Sequence, residues 1–466
     1  MRPIRPVGKW AIVLLVILIF GAVNPAGRNA EASLSLEDEK KLGREFYEKL
    51  EKANVLSQNE RANAYLGRLG ELILAHSDKA PFTFKFTIIR SSAINAFATP
   101  GGYVYVNQGL ITLVENEGEL AGVLAHEIAH VNGRHISQIL DKSQKLGISS
   151  LAAILAGAFL GGGGDLTAAV TAFTMAAATT LSLQYSREQE EAADRMGMAY
   201  LVKAGYGGGT MLDFLKIMRR YEYYSSTVPS YFLTHPGTDE RTRYIDALLQ
   251  TTYTQKGADG IIGNLGRIQT LLLLDGKIAE TANLQHFQKV LSSDPDNADA
   301  LYGLAVTQDR LGMIRESLAT YQKALGISPD DADVLRERGI TLFKQGQYAE
   351  AGRSLERAFG LDEKDLRTIL YLGRTFEARS DVQKALGLYQ RLEGKHLDDP
   401  EILYTLAMAY GKADQPGASH YFFGIYFKKK GKPESALFHL KAAAKHFPAD
   451  SARGKEIAKE AESLKR

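Results

Sequence analysis

The sequence predicts an α+β chain that is mainly α-helical, with a small β-sheet among the helices of its first half and an all-α repeat solenoid in its second. Three observations lead there. Phe82-Thr-Phe-Lys-Phe-Thr alternates apolar and polar residues as a half-buried strand does, and Tyr103-Val-Tyr-Val106 reads as a second strand after the Pro100-Gly101-Gly102 turn. In the next stretch Leu120, Leu124, Ile128 and Val131 fall at steps of four, four and three, the buried stripe of a helix. After about residue 255 the apolar and small residues recur with a period of 34.

The elements follow in order. Arg2, Arg5 and Lys9 precede thirteen unbroken apolar residues, Ala11 to Val23, and Ala30-Glu31-Ala32 offers a small-x-small cleavage site. Residues 1–32 are therefore expected to be a secretory signal peptide, with a retained anchor as the alternative. Ser35 to Leu50 has the charge and spacing of an amphipathic helix. Asn116-Glu-Gly-Glu119 resembles a capping box opening the helix of the apolar stripe. Residues 147–184 are apolar, then glycine-rich, then rich in Ala and Thr. The first arm is too short to span a membrane, which favours buried or lid-like helices over peripheral membrane contact. Ser186 is placed to cap a further helix.

Composition excludes several classes. The chain has 466 residues, room for two or three domains, and Lys+Arg 56 nearly balances Asp+Glu 54, so no basic excess points to nucleic acid. It has no cysteine, which excludes disulfides, thiolate catalysis, cysteine metal sites and a lipid-anchoring cysteine.

The 34-residue period is that of tetratricopeptide helix pairs. Leu335, Gly339, Leu342, Ala351, Leu355 and Ala358 match Ile369, Gly373, Phe376, Ala385 and Tyr389 in the same frame. Leu301, Ala305, Tyr321 and Ala324 precede them; Leu403, Ala407, Ser419 and Phe423 follow, and Ala436, Leu440 and Ala443 close the array. Residues 264–297 fit the frame weakly, through Phe287 and Pro295. Such arrays form concave surfaces that commonly bind peptides or partner proteins.

The chemistry sits in His126-Glu-Ile-Ala-His130-Val-Asn-Gly-Arg-His135. On a helix, His126 and His130 project from one face one turn apart, so both imidazoles can meet one cation, for which zinc is suited. Glu127 beside them can reach a metal-bound water without ligating the metal. His135 comes nine residues after His126, one short of the HExxHxxGxxH register and on the opposite helix face. It is expected to be a partly exposed helix-end residue rather than a third ligand. The better third ligand lies in Ser186-Arg-Glu-Gln-Glu190-Glu-Ala-Ala-Asp194, where Glu190 and Asp194 share a face. One carboxylate there suits the metal and the other suits the N–H of a ligand histidine.

The HEIAH and SREQEEAAD segments together resemble the gluzincin zinc-metallopeptidase family of the CAAX prenyl endopeptidase and the heat-shock protease HtpX. Asn95-Ala-Phe-Ala-Thr-Pro-Gly-Gly-Tyr-Val-Tyr-Val106 is similar to the family's segment ahead of the zinc helix. The leader and the C-terminal repeats resemble its periplasmic, BepA-like branch. The resemblance implies a zincin-type domain over residues 33–250, repeats over 264–450 and a helical tail over 451–466. It implies one zinc held by His126, His130 and Glu190, Glu127 as catalytic acid/base, and Asp194 behind a ligand. Thr234-His235-Pro236 with Arg241 resembles the family's histidine-proline segment. By that similarity His235 is a self-inhibiting switch or a transition-state donor, and Arg241 stabilises the oxyanion or orders the site. Asn95, Tyr103, Val104 and Tyr105 are expected to bind substrate, the strand from Tyr103 by taking on an added strand. The implied activity is that of a periplasmic endopeptidase acting on misassembled outer-membrane proteins, with the repeats recruiting substrate or the outer-membrane assembly machinery. The competing expectation is a chaperone or assembly adaptor whose peptidase site is closed or vestigial.

Overall fold

The computed structural model describes residues 34–141, 151–152, 155, 184–224, 229–276, 279–393 and 399–464. The leader and most of the 147–184 segment lie outside the described residues; Leu151, Ala152 and Leu155 are buried in a core with Leu42 and Phe46. No helix among the described residues is long and apolar enough to cross a membrane. The chain divides into two compact units, Met1–Gly263 and Asn264–Arg466.

In the first unit, α1 (Leu36–Lys52) and α2 (Glu60–Ala75) precede the strands β1 (Lys85–Ile89), β2 (Ala96–Thr99) and β3 (Tyr103–Asn107). The helices α3 (Gln108–Leu113), α4 (Glu117–Asn132), α5 (His135–Asp141), α6 (Arg187–Lys203), α7 (Gly209–Tyr224), α8 (Ser230–Thr234) and α9 (Thr238–Thr251) follow. Local chemistry sets the helix starts. Ser35, Asn116 and Ser186 each cap a helix through a reciprocal capping box, closed by Asp38, Glu119 and Gln189 respectively.

The strand expected from Phe82 begins instead at Lys85, whose N–H bonds to Gly102 O. Gly101 and Gly102 both adopt positive φ, and a Cβ on Gly102 would meet Thr83 O at 2.9 Å, so Phe82 and Thr83 cross the turn instead of extending the ladder. β2 gave no alternation signal because all four of its residues are buried. The sheet order is β1-β3-β2, with β1 parallel and β2 antiparallel to β3. This corrects the expectation for Tyr103, Val104 and Tyr105. Their strand is the central one, both its edges are already hydrogen-bonded, and it has no free ladder for an added strand. Tyr105 instead packs with Phe46 and Phe97, at ring-centroid distances of 5.4 and 5.0 Å.

α4 is more than amphipathic: every residue from Glu117 to Val131 is buried. It packs against α2, α6, α7 and the sheet. Gly197 lets α6 cross it closely, since a Cβ there would lie 3.0 Å from the Ala125 carbonyl carbon and from His126 N. At the start of α4, the Glu117 carboxylate accepts from the hydroxyls of Tyr65 (2.9 Å) and Tyr206 (2.6 Å). It also accepts from the backbone N–H groups of Ile261, Ile262 and Gly263 at 2.6–2.7 Å. One buried carboxylate thus ties the last residues of the unit to the start of its central helix.

The second unit is a run of antiparallel helix pairs, among them Ala298–Arg310 with Ile314–Ile327, Ala332–Lys344 with Tyr348–Leu361, and Leu366–Ala378 with Val382–Gln390. The 34-residue frame is visible as packing. Gly339 and Gly373 face Leu355 and Tyr389, and a Cβ at either glycine would come within 2.6 and 2.3 Å of those side chains. Small residues on one helix thus admit large ones from its mate.

Candidate metal centre

Three elements bring the predicted site residues together. α4 supplies His126, Glu127 and His130, α6 supplies Glu190 and Asp194, and the C-cap of α8 supplies His235. His126, His130, Glu190 and His235 each offer one ligand atom, and these atoms lie within 4.8 Å of one another. His126 Nε2 is 2.9 Å from His130 Nε2 and 3.3 Å from His235 Nδ1. Glu190 Oε1 is 3.0 Å from His235 Nδ1 and 3.3 Å from His130 Nε2. A tetrahedral zinc shell with bonds of about 2.0–2.1 Å has edges of about 3.3 Å. The donor set and its spacing therefore fit zinc.

Glu127 is fully buried, and among the described residues neither carboxylate oxygen has a hydrogen-bond partner. His235 Nε2 approaches Oε1 to 3.5 Å. Burial, outweighing the nearby histidines, raises the Glu127 pKa. An unpartnered buried carboxylate beside a donor cluster is arranged to receive a proton from a group that comes to the centre.

Behind the cluster lies a charged scaffold. His126 Nδ1 is 2.8 Å from Asp194 Oδ1. Arg241 donates to both Asp194 oxygens at 2.8 Å, and its Nη1 lies 2.6 Å from Glu190 Oε2. Burial opposes ionisation of Asp194 and Glu190, but Arg241 overcomes it and holds both carboxyls well below the usual range. Burial together with His126 pushes the His130 pKa well down, so His130 is a neutral imidazole with a lone pair to give. Of the two roles expected for Arg241, this geometry favours ordering the site, since its guanidinium is turned onto Asp194 and Glu190.

His135 departs from expectation. It is 6% exposed and opens α5 rather than ending α4. Its Nδ1 lies 2.9 Å from His130 Nδ1, on the side of that ring away from the cluster. Burial, then the proximity of His126, lowers its pKa to about 4. Asn95 is buried immediately before β2, and its Oδ1 has no hydrogen-bond partner among the described residues.

Sequence reasoning missed two tyrosines. Tyr185 stacks on His130 at 3.8 Å between ring centroids, and its N–H donates to Thr234 O. Tyr231 stacks on His235 at 4.4 Å. Tyr185 stands at no helical spacing from the histidines, whereas Tyr231 lies four residues before His235, a step that pairs the two only once the short helix Ser230–Thr234 is known.

Comparisons with known proteins agree with this architecture. Residues 60–249 match the model of peptidase family M48, and residues 272–336 and 333–410 match two tetratricopeptide repeat models. Over 216 residues the chain is 30% identical to a beta-barrel assembly-enhancing protease of Yersinia pestis, covering 46% of this chain and 44% of that one. Its counterpart in Escherichia coli is 29% identical over 243 residues, covering 49% of each. A mitochondrial metalloendopeptidase OMA1 of Schizosaccharomyces pombe is 27% identical over 219 residues, covering 46% of this chain and 62% of that one. The matched stretch spans about half the length of the beta-barrel assembly-enhancing relatives. The resemblance read from the HEIAH and SREQEEAAD segments is borne out as an M48 peptidase domain followed by tetratricopeptide repeats.

Proposed function

We infer that this chain, which carries a peptidase family M48 domain followed by tetratricopeptide repeats, is an exported zinc endopeptidase of the cell envelope. Its substrates are misfolded or misassembled proteins, outer-membrane proteins among them. The observation that carries the reading is the convergence of four metal-donor atoms beside a buried, unpartnered Glu127.

His126, His130 and Glu190 would hold the zinc, which when bound supplies a Lewis acid and lowers the pKa of water to about 7. Glu127 takes the proton of the attacking water and returns it to the leaving amine, a role that its raised pKa suits. Asp194 fixes the His126 ring through Nδ1, and Arg241 fixes Asp194.

His235 completes the fourth corner of the donor set, so this conformation is a resting one. The centre is closed: His126, Glu127, His130, Glu190 and His235 are each no more than 2% exposed. The His235 segment is held by Tyr231 N–H and Ser230 Oγ, which both donate to Ile94 O at 3.2 Å, and by the Tyr185 N–H on Thr234 O. Its departure vacates the fourth corner and frees the Ile94 carbonyl just ahead of β2. β2 is an edge strand, and it rather than β3 is the one that an extended substrate can join, with Asn95 at its start.

The names of the relatives support a role in outer-membrane assembly, the basic-apolar leader supports export to the periplasm, and the repeats suit recruitment of substrate or of an assembly partner. The closed centre also favours a second reading, a chaperone that holds clients on its repeats without cleaving them. Cleavage of an unfolded outer-membrane protein by the zinc-loaded full chain, beside Glu127→Gln, separates the two. The peptidase reading expects cleavage by wild type only, with zinc retained by both. Equal cleavage by both would refute the assigned mechanism. Cleavage by neither, with clients still bound, would favour the chaperone.

A further inference from the structure

The tail of the zinc-helix motif, Gly133-Arg134-His135, is built to hold a ligand rather than to be one. α4 ends at Gly133, and Arg134 adopts the left-handed conformation, φ +53°, which reverses the chain so that His135 turns back onto the helix it has just left. That turn is pinned from outside. Arg134 Nε donates to Glu39 Oε1 at 2.7 Å and its Nη2 to Leu34 O at 2.7 Å, and the Glu39 carboxylate is buried. The returning ring lies against Gly133, where a Cβ would come within 2.4 Å of His135 Nε2 and 2.8 Å of Cδ2. Only glycine leaves room for it.

The ring arrives edge-on to His130, with centroids 4.9 Å apart and planes at 82°. The two Nδ1 atoms face each other at 2.9 Å, a hydrogen-bond distance. His130 turns its Nε2 to the donor cluster. To offer a lone pair there, its proton must sit on Nδ1, and that N–H needs an acceptor. His126 has such an acceptor in Asp194 Oδ1. For His130 the structure supplies the Nδ1 of His135.

We propose that His135 is the positioning residue of His130: as a neutral imidazole protonated on Nε2, it accepts the His130 Nδ1–H and fixes the tautomer and ring plane with which His130 meets the metal. The two ligand histidines are thus backed differently, His126 by a carboxylate and His130 by an uncharged ring. The proposal rests on the metal reading of the site.

Zinc affinity of the full chain, measured by competition with a chromophoric chelator, tests it, with the melting temperature of the metal-free protein followed in parallel. His135→Ala is expected to bind one zinc about 10–100-fold more weakly, the usual cost of losing such a partner. His135→Asn, whose amide oxygen can accept the same proton, is expected to recover most of the affinity. That recovery separates positioning from mere packing if the alanine variant also melts lower. Wild-type affinity in His135→Ala would overturn the proposal, and so would an asparagine variant as weak as alanine. Complete loss of stoichiometric zinc in His135→Ala at saturation would make His135 itself a ligand and overturn it as well. A wild-type chain that takes up no zinc would overturn the metal reading, and the proposal with it.

Discussion

Arg241 meets Asp194 in a two-pronged ion pair, Nε to Oδ2 and Nη2 to Oδ1, both at 2.8 Å and both groups buried. The pair links α9 to α6 and reaches the metal-donor cluster twice, through Asp194 onto His126 and through Arg241 Nη1 onto Glu190. Arg241→Gln leaves the Asp194 charge buried without its counter-ion. The expected loss is about 3–5 kcal/mol of unfolding free energy, read from urea denaturation of the metal-free protein. Wild-type stability in that variant would mean that the pair is not what orders the site.

His235 completes the set of four donor residues, so on the proposed mechanism removing its ring should activate the enzyme. If the open form is roughly a tenth of the population, His235→Ala should cleave an unfolded protein about tenfold faster at low substrate. The zinc content should stay at one, because His126, His130 and Glu190 remain. A variant that lost activity while keeping its zinc would instead make His235 a donor in the transition state.

Glu117 makes a pH-dependent contribution to stability. Burial opposes its ionisation, but the Tyr206 hydroxyl and the Ile261 and Ile262 N–H groups overcome this and lower its pKa. A carboxylate with a depressed folded pKa stabilises fully above its unfolded value of about 4.3, and that contribution fades as pH falls through the folded value. Glu117→Gln is expected to cost about 2 kcal/mol at pH 7, since the hydrogen bonds it weakens end on a charge. The gap between wild type and variant should narrow steadily below about pH 4. Urea unfolding at pH 7 and near pH 3 checks this, and a gap that widened in acid would contradict it.

Gly373 admits the Tyr389 ring, and a Cβ there would sit 2.3 Å from Tyr389 Cε1. Gly373→Ala should therefore overpack its helix pair and cost about 1–3 kcal/mol. In a thermal scan the transition of the repeat unit should fall while zinc content and peptide cleavage remain as in wild type. Unchanged melting would show that the pair tolerates the extra methyl by shifting.

The sequence by itself determined what local spacing can encode. An i, i+4 step puts His126 and His130 on one face, and another does the same for Glu190 and Asp194. Asn116 and Ser186 announced their helices because a cap and the backbone N–H that it accepts lie within four residues. The 34-residue frame was legible because each repeat buries the same positions against its neighbour. Tertiary structure alone decided what depends on residues far apart in the chain. β3 is central because β2, wholly buried and so without alternation, pairs along its other edge. His135 was misread because a straight helix sends it to the far face. Arg134 takes a left-handed turn that Glu39, 95 positions away, holds in place, and the ring comes back onto His130. Tyr185 reaches His130 only once α6 has docked on α4 at Gly197. Periodicity reports which face of an element is buried, whereas the partner that buries it is fixed by packing between segments whose separation no local pattern records.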